Sequence, residues 1–232
     1  MLFLLAVALA CAATPPTYMG RPIAQTMHWT GAEWLVRATR ETEEAPAALI
    51  AALALEPGET ACDVGAGNGF HAVRLAAANP QGRVLAVDIQ PEMLRLLQER
   101  AVAAGVSNVE PVLGAQAGTN LPDGACDVVL LVDVYHELSD PEAMHRDLRR
   151  ATRPGGRVAV VEFRQEDPSV PIKRLHTMTK AQVHREWSAN GWTLVRQVDT
   201  LPWQHVMLYQ PAGGPDPAVA LTPWTPAPAG RP

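Results

Sequence analysis

Runs of one charge, clustered cysteines and long apolar stretches are all scarce in this chain, and each scarcity excludes a class. No run of Lys and Arg stands out and the net charge is −5, so the electrostatic footprint of a nucleic-acid binder is missing. The three cysteines form no C-x-x-C and no Cys/His spacing of a zinc site. Cys62 and Cys126 each fall in a predicted strand, where a buried free thiol is expected, and no disulfide framework is indicated. The seven histidines include no pair with ligand spacing on one face, so no metal is expected. The apolar run at residues 2–10 is far too short to span a membrane as a mature helix.

That run has the length of a signal-peptide core. Ala8-Leu9-Ala10 offers a small-x-small cleavage site before Cys11, which itself sits where a lipoprotein would be processed. Residues 1–17 therefore read as a signal peptide or N-terminal anchor, and the protein as exported, periplasmic or membrane-anchored. Only the α-amino group supplies positive charge there, so a cytoplasmic protein is the alternative. Residues 18–45, with Trp29 and Trp34, read as an N-terminal helical lid segment, packed either over an apolar substrate or against the sheet edge. Residues 46–210 form the main domain. Residues 211–232, rich in Pro, Ala and Gly, read as a disordered tail.

Within the main domain, strands and helices alternate. Predicted strands cover 60–64, 83–88, 109–113, 126–132 and 157–163, with helices at 69–78, 91–104, 140–151 and 179–190. This order implies an α/β fold with a doubly wound, mainly parallel sheet. Strands 192–198 and 204–209 are separated by a short turn, which permits only an antiparallel pair.

The stretch DVGAGNGF, Asp63 to Phe70, runs from the end of the first strand into a glycine turn. Gly65, Gly67 and Gly69 let a ligand lie against the backbone. A dinucleotide fingerprint needs a glycine at the sixth place, and Phe70 stands there. Asp63, two residues before the first glycine, would repel a pyrophosphate but attract an ammonium and a sulfonium. S-adenosylmethionine is such a ligand, while a bare strand-to-helix turn is the bland alternative. Asp88 ends the second strand and can accept ribose hydroxyls, or it can cap the next helix; Ile89 would lie on the adenine face.

DVGAGNGF, AVDIQPEML, CDVVLLVDVYHEL and PGGRVAVVEF, in that order, resemble the motifs of class I S-adenosylmethionine-dependent methyltransferases. VDVYHE, PIK-x-LH-x-MT and LPWQH resemble bacterial methyltransferase-domain proteins with an export signal, and the motif region is similar to quinone-biosynthesis C-methyltransferases. The resemblance implies a seven-stranded Rossmann-like sheet of order 3-2-1-4-5-7-6 with strand 7 antiparallel. It carries cofactor roles onto Asp63, Gly65, Ala66, Gly67, Asn68, Gly69, Asp88 and Ile89. Many such enzymes bond the adenine amino group with an acidic residue after strand three; here Gln116 occupies that region and its carbonyl can accept the bond.

Methyl transfer needs alignment and exclusion of water more than acid–base help. The fourth strand runs into DVYHE at its carboxyl end, which in an open α/β sheet faces the ligand crevice. Asp133 is a candidate for contact with the methionine moiety or the acceptor, Tyr135 for lining the methyl path, and His136 for the general base. Packing beside the cofactor is the plainer role for His136. Glu137 reads as solvated or as a local acceptor. His176 and His205 are candidates to face the pocket. The expected acceptor is a small, apolar-leaning molecule. A non-catalytic binder of the same cofactor is the second reading, and an NAD-dependent oxidoreductase the third. Because S-adenosylmethionine is made in the cytosol, an exported enzyme needs a supply of it.

Overall fold

The computed structural model describes residues 15–226, so residues 1–14 of the expected signal segment, Cys11 among them, lie outside the described residues. The centre is a seven-stranded sheet. In chain order its strands are β1 (Thr60–Val64), β2 (Arg83–Asp88), β3 (Val109–Leu113), β4 (Cys126–Val132), β5 (Thr152–Phe163), β6 (Trp192–Val198) and β7 (Gln204–Pro211). They lie in the order β3-β2-β1-β4-β5-β7-β6. β7 is antiparallel to both β5 and β6, and the pairs from β3 to β5 are parallel. The order and the reversed strand are those the family resemblance implied.

Among the described residues the six α-helices are α1 (Arg40–Glu44), α2 (Pro46–Ala52), α3 (Ala72–Ala78), α4 (Pro91–Ala104), α5 (Pro141–Ala151) and α6 (Lys180–Ala189). Local chemistry sets their ends. Pro91 opens α4, where a missing N–H costs nothing, and Gly105 stops it with φ +68°. Asp140 accepts from the Ala143 N–H at 3.0 Å to cap α5, and Thr179 accepts from the Gln182 N–H at 3.0 Å to cap α6.

Every residue of β4 is buried, as expected of a central strand covered on both faces. Its side chains alternate between two cores. Leu131 joins Val160, Trp187 and Tyr209 on one face. Leu130 joins Leu75, Leu97 and Leu208 on the other. This packing leaves the carboxyl ends of β1, β2 and β4 side by side, with loops free to build a site.

Four expectations need correction. Cys62 and Cys126 form a disulfide, with Cα atoms 5.8 Å apart. They lie on neighbouring strands β1 and β4, a proximity created by sheet order and invisible in either strand alone. The segment before α2 is not simply helical. It comprises a two-stranded hairpin, Thr17–Tyr18 with Arg21–Pro22, a 3-10 stretch Trp29–Val36 and short α1. β5 begins at Thr152, ahead of the expected strand start at 157, because Thr152 pairs with Cys126 across a register shift. The tail is ordered over its described part. Val219 N–H donates to Leu194 O at 2.9 Å, Gln197 bonds Ala220 and Thr222, and the Arg164 guanidinium stacks on Trp224. Among the described residues, no helix is long and apolar enough to cross a membrane.

Candidate active site

The turn after β1 is built so that its amides face inward. The N–H groups of Gly65 and Ala66 both donate to Val87 O, at 2.8 and 2.9 Å. Gly67 N–H donates to Asp88 Oδ2 at 2.9 Å, and Gly69 N–H to Ala66 O at 3.0 Å. A phosphate cradle needs such amides to point at the ligand. Here four of them are already used. Gly65 has φ +75°, and a Cβ there would stand 2.4 Å from Val134 Cγ2, so the turn also needs glycine for close approach.

The charge around the turn is negative. Asp63 is buried at the end of β1, and its Oδ2 has no hydrogen-bond partner. Burial, reinforced by the charge of Asp88, pushes its carboxyl up to about 7. Burial also raises Asp88. Asp133, partly buried just past β4 with φ +54°, is raised well above the carboxylate range by burial, then by Glu44 and Glu162. Gln204 Nε2 donates to Asp133 Oδ2 at 2.7 Å, while Oδ1 is unpartnered. Arg40 opposes this charge: its guanidinium lowers Asp63 and Asp133, bonds Glu44 at 2.7 Å and stacks on Phe70. Two buried, unpaired carboxylate oxygens at the carboxyl ends of β1 and β4 are what a cationic ligand would satisfy.

The N-terminal segment covers this turn. Asn68 Nδ2 donates to Ala32 O at 2.8 Å, and its own Oδ1 is unpartnered. Gln90 accepts from Trp29 N–H at 2.8 Å and donates to Met27 O at 2.9 Å. Leu35 Cδ1 stands 2.8 Å from where a Gly67 Cβ would be. Trp34 is half exposed, with Arg37 stacked on it and Phe163 at its edge. At the rim, Ile89 is 39% exposed, as suits an apolar face waiting for a base, and Gln116 is exposed on the turn after β3.

The loop after β4 divides its side chains. His136 is buried and held by Glu162 at the end of β5: Nδ1 lies 2.7 Å from Oε2, and the His136 N–H donates to Oε1 at 3.1 Å. Burial works against a charged imidazole here, but the Glu162 charge and hydrogen bond outweigh it, so protonation is favoured. In the neutral ring, a Glu162 carboxylate that accepts at Nδ1 leaves the Nε2 lone pair outward. His136 lines a cavity of about 450 Å³ together with Gln165, Arg174, Leu175, Met178 and Gln182. Arg21 of the hairpin closes its floor, bonding Glu186 at 2.8 Å and His136 O at 3.1 Å.

Tyr135 takes the opposite direction. It is fully buried in the α5–α6 core. Its hydroxyl donates to Glu186 at 2.8 Å and lies 2.9 Å from His145 Nε2. The expectation that Tyr135 lines the methyl path is corrected: the 3-10 turn Tyr135–Glu137 sends adjacent side chains apart. His205 is likewise buried with neither ring nitrogen bonded, and burial pushes it down to about 3; it does not line the cavity. His176 does come to the site, 3.1 Å from His136 Nε2. Arg40 and Glu44 belong to the site but carry no motif of their own, and Gln204 stands in LPWQH without that motif giving it a role; their buried charge and polarity mark them.

The chain's motifs and this geometry agree with what it is similar to. A family model described as "Methyltransferase domain" matches residues 55–207. The chain belongs to that family, and S-adenosylmethionine is the cofactor its turn fits. The arsenite methyltransferase of Halobacterium salinarum is 34% identical over 116 residues, covering 50% of this chain and 30% of that protein. The ubiquinone/menaquinone biosynthesis C-methyltransferase UbiE of Burkholderia orbicola is 37% identical over 116 residues, covering 49% of this chain and 47% of that one. The chain thus spans less than half the length of these curated relatives. In fold it is similar to a SAM-dependent methyltransferase from Aquifex aeolicus, with a TM-score of 0.75, 23% identity, and coverage of 79% of this chain and 98% of that one.

Proposed function

We propose that this protein transfers a methyl group from S-adenosylmethionine to a small-molecule acceptor. The observation that carries the reading is the turn after β1: its amides are spent internally while the Asp63 and Asp133 oxygens Oδ2 and Oδ1 stay unpaired. That site favours a cationic nucleoside over a pyrophosphate, and so disfavours NAD.

When bound, S-adenosylmethionine supplies a methyl carbon already activated by its sulfonium. The chain's own work is placement. Asp63 and Asp133 hold positive charge at the ends of β1 and β4, and Asp88 offers acceptors for ribose hydroxyls. Gly65, Ala66, Gly67, Asn68 and Gly69 shape the floor. The 3-10 stretch Trp29–Val36 and Leu35 shut out water from above. The acceptor enters the cavity beside His136, whose Glu162-backed imidazole takes a proton at Nε2 where the acceptor carries one. A free thiol pair for a thiophilic acceptor is lacking among the described residues, since Cys62 and Cys126 are joined. The mixed lining of the cavity suits an organic acceptor with one polar group.

The protein is further proposed to work outside the cytosol, supported by the apolar run 2–10 before Cys11 and by the buried disulfide, which persists in oxidising compartments. Reporter fusions after Ala45 test it: activity confined to the cytosolic reporter would overturn export.

The test of the chemistry is calorimetric titration with S-adenosylmethionine, S-adenosylhomocysteine and NAD, followed by transfer of labelled methyl to a panel of phenols, quinols and amines. Micromolar binding of the two sulfur ligands, lost in Asp63→Ala, with label appearing in an acceptor, is the expected result. Binding without transfer to any acceptor would favour a non-catalytic cofactor-binding protein. No binding by a folded chain would overturn the reading.

A further inference from the structure

Two histidines from separate loops meet beside the cavity, whose wall His136 forms in part. His136 Nε2 and His176 Nδ1 are 3.1 Å apart. Glu137 Oε1 lies 3.8 Å from the first and 3.6 Å from the second. Ligands on a tetrahedral zinc ion, each about 2.0–2.1 Å from the metal, stand about 3.3–3.4 Å from one another. The triangle of these three atoms has the size of one face of that tetrahedron.

The surroundings match a metal site as well. Glu162 accepts at His136 Nδ1 at 2.7 Å, which fixes the ring and turns the Nε2 lone pair outward, as carboxylates behind metal-binding histidines do. A hydrogen bond between the two rings would account for the histidines alone. It does not account for Glu137, whose side chain is 14% exposed. Its only close hydrogen bond among the described residues is a long one, 3.4 Å from Met27 N–H. Its Oε1 faces both ring nitrogens. A cation among the three would satisfy all of them, and one of the three, His136, also lines the cavity with Arg174, Leu175 and Met178.

We infer that His136, Glu137 and His176 form a site for a divalent transition-metal ion of the zinc type beside the cavity, with a fourth position left for water or an acceptor. Two imidazoles and one carboxylate select zinc-like ions over Mg²⁺ and Ca²⁺, which take oxygen ligands. The site stands without the methyl-transfer reading. Where both hold, His136 is a metal ligand rather than a base, and the ion selects acceptors bearing an oxygen or sulfur donor; that last step rests on the methyl-transfer reading.

The test uses tag-free, EDTA-stripped full chain titrated with Zn²⁺, with Co²⁺ as a visible probe. One equivalent of Zn²⁺ should bind at micromolar concentration or below, unaffected by excess Mg²⁺, and Co²⁺ should give the intense visible bands of four-coordination. His176→Ala should abolish stoichiometric binding, and Glu162→Gln should weaken it about 10- to 100-fold. Thermal melts and S-adenosylmethionine titration of the same samples keep folding and cofactor binding separate from metal binding. Less than one equivalent bound by wild type, or equal binding by wild type, His176→Ala and Glu137→Gln, would overturn the site and leave the methyl-transfer reading standing. Metal binding without cofactor binding would do the reverse.

Discussion

Gly67 and Asp88 are joined across the tops of β1 and β2: the Gly67 N–H donates to Asp88 Oδ2 at 2.9 Å, while the Gln90 N–H donates to Oδ1 at 2.9 Å. One carboxylate thus ties the glycine turn to the start of α4. It still presents lone pairs, since an ionised carboxylate offers about four acceptor sites. Asp88→Ala would leave both amides unpaired, at about 1–3 kcal/mol each where they are buried. We expect a loss of stability in urea unfolding together with loss of S-adenosylmethionine binding by calorimetry. Asp88→Asn keeps one acceptor oxygen and should fall between. An Asp88→Ala protein as stable as wild type would show that the turn does not depend on this tie.

Asp63 makes cofactor binding depend on pH. Its carboxyl is pushed up to about 7 by burial and by Asp88, against about 3.9 in an unfolded chain. The folded protein therefore holds a proton that the unfolded chain gives up, and this group costs stability as pH rises from about 4 toward 7. A cationic ligand reverses the preference, because it favours the ionised form. Affinity for S-adenosylmethionine should rise as pH climbs toward about 7 and level off above it, with proton release on binding below that pH and none well above it. Calorimetry in buffers of different ionisation enthalpy measures the proton count. Asp63→Asn should bind weakly with a flatter pH profile; an unchanged profile in that variant would place the titrating group elsewhere.

The Cys62–Cys126 bond closes a loop across a sequence separation of 64 residues. Chain-entropy reasoning gives such a cross-link about 4 kcal/mol of stabilisation. The Cys62→Ala/Cys126→Ala double variant should melt well below wild type, while mass analysis after alkylation of unreduced, denatured wild type should find neither residue modified. Alkylation at both positions in protein prepared from an oxidising compartment would show that the bond is not made.

Legibility in the sequence followed the range of the forces involved. β2, β3, β4 and α4 are bounded by local signals: Val- and Leu-rich runs, Pro91 at the start of α4 and Gly105 at its end. These signals give the same bounds in the fold. The Asp63 and Asp88 positions are equally local, because each ends a strand beside the glycines. What escaped depends on distant partners. Cys126 meets Cys62 only once β4 lies beside β1. His176 meets His136 through a loop with no periodicity. Arg40 and Gln204 enter the site from opposite ends of the domain. Tyr135 misled because strand alternation stops at Val132, and the following 3-10 turn points it into the core. The Trp29–Val36 stretch has only one buried residue, Ala32, so no apolar stripe foretold its form.

Gly65 and Val134 offer the most direct test of how tightly the site is built. A Cβ on Gly65 would stand 2.4 and 2.7 Å from the two Val134 methyls, and φ at Gly65 is +75°. Gly65→Ala therefore carries two costs. The left-handed backbone takes about 1–2 kcal/mol, and the clash forces Val134 or the turn to move. Val134→Ala removes the methyls and leaves the backbone cost, so the double variant should recover part of the lost stability. Residues in contact couple by about 0.5–3 kcal/mol in a double-mutant cycle, and a value in that range with the favourable sign is expected from urea unfolding. Cofactor binding should be lost in Gly65→Ala and only partly regained in the pair, because the turn's φ still resists a side chain. Strict additivity of the two substitutions would show that Val134 does not wall the turn, and that the loop after β4 is free to move away from β1.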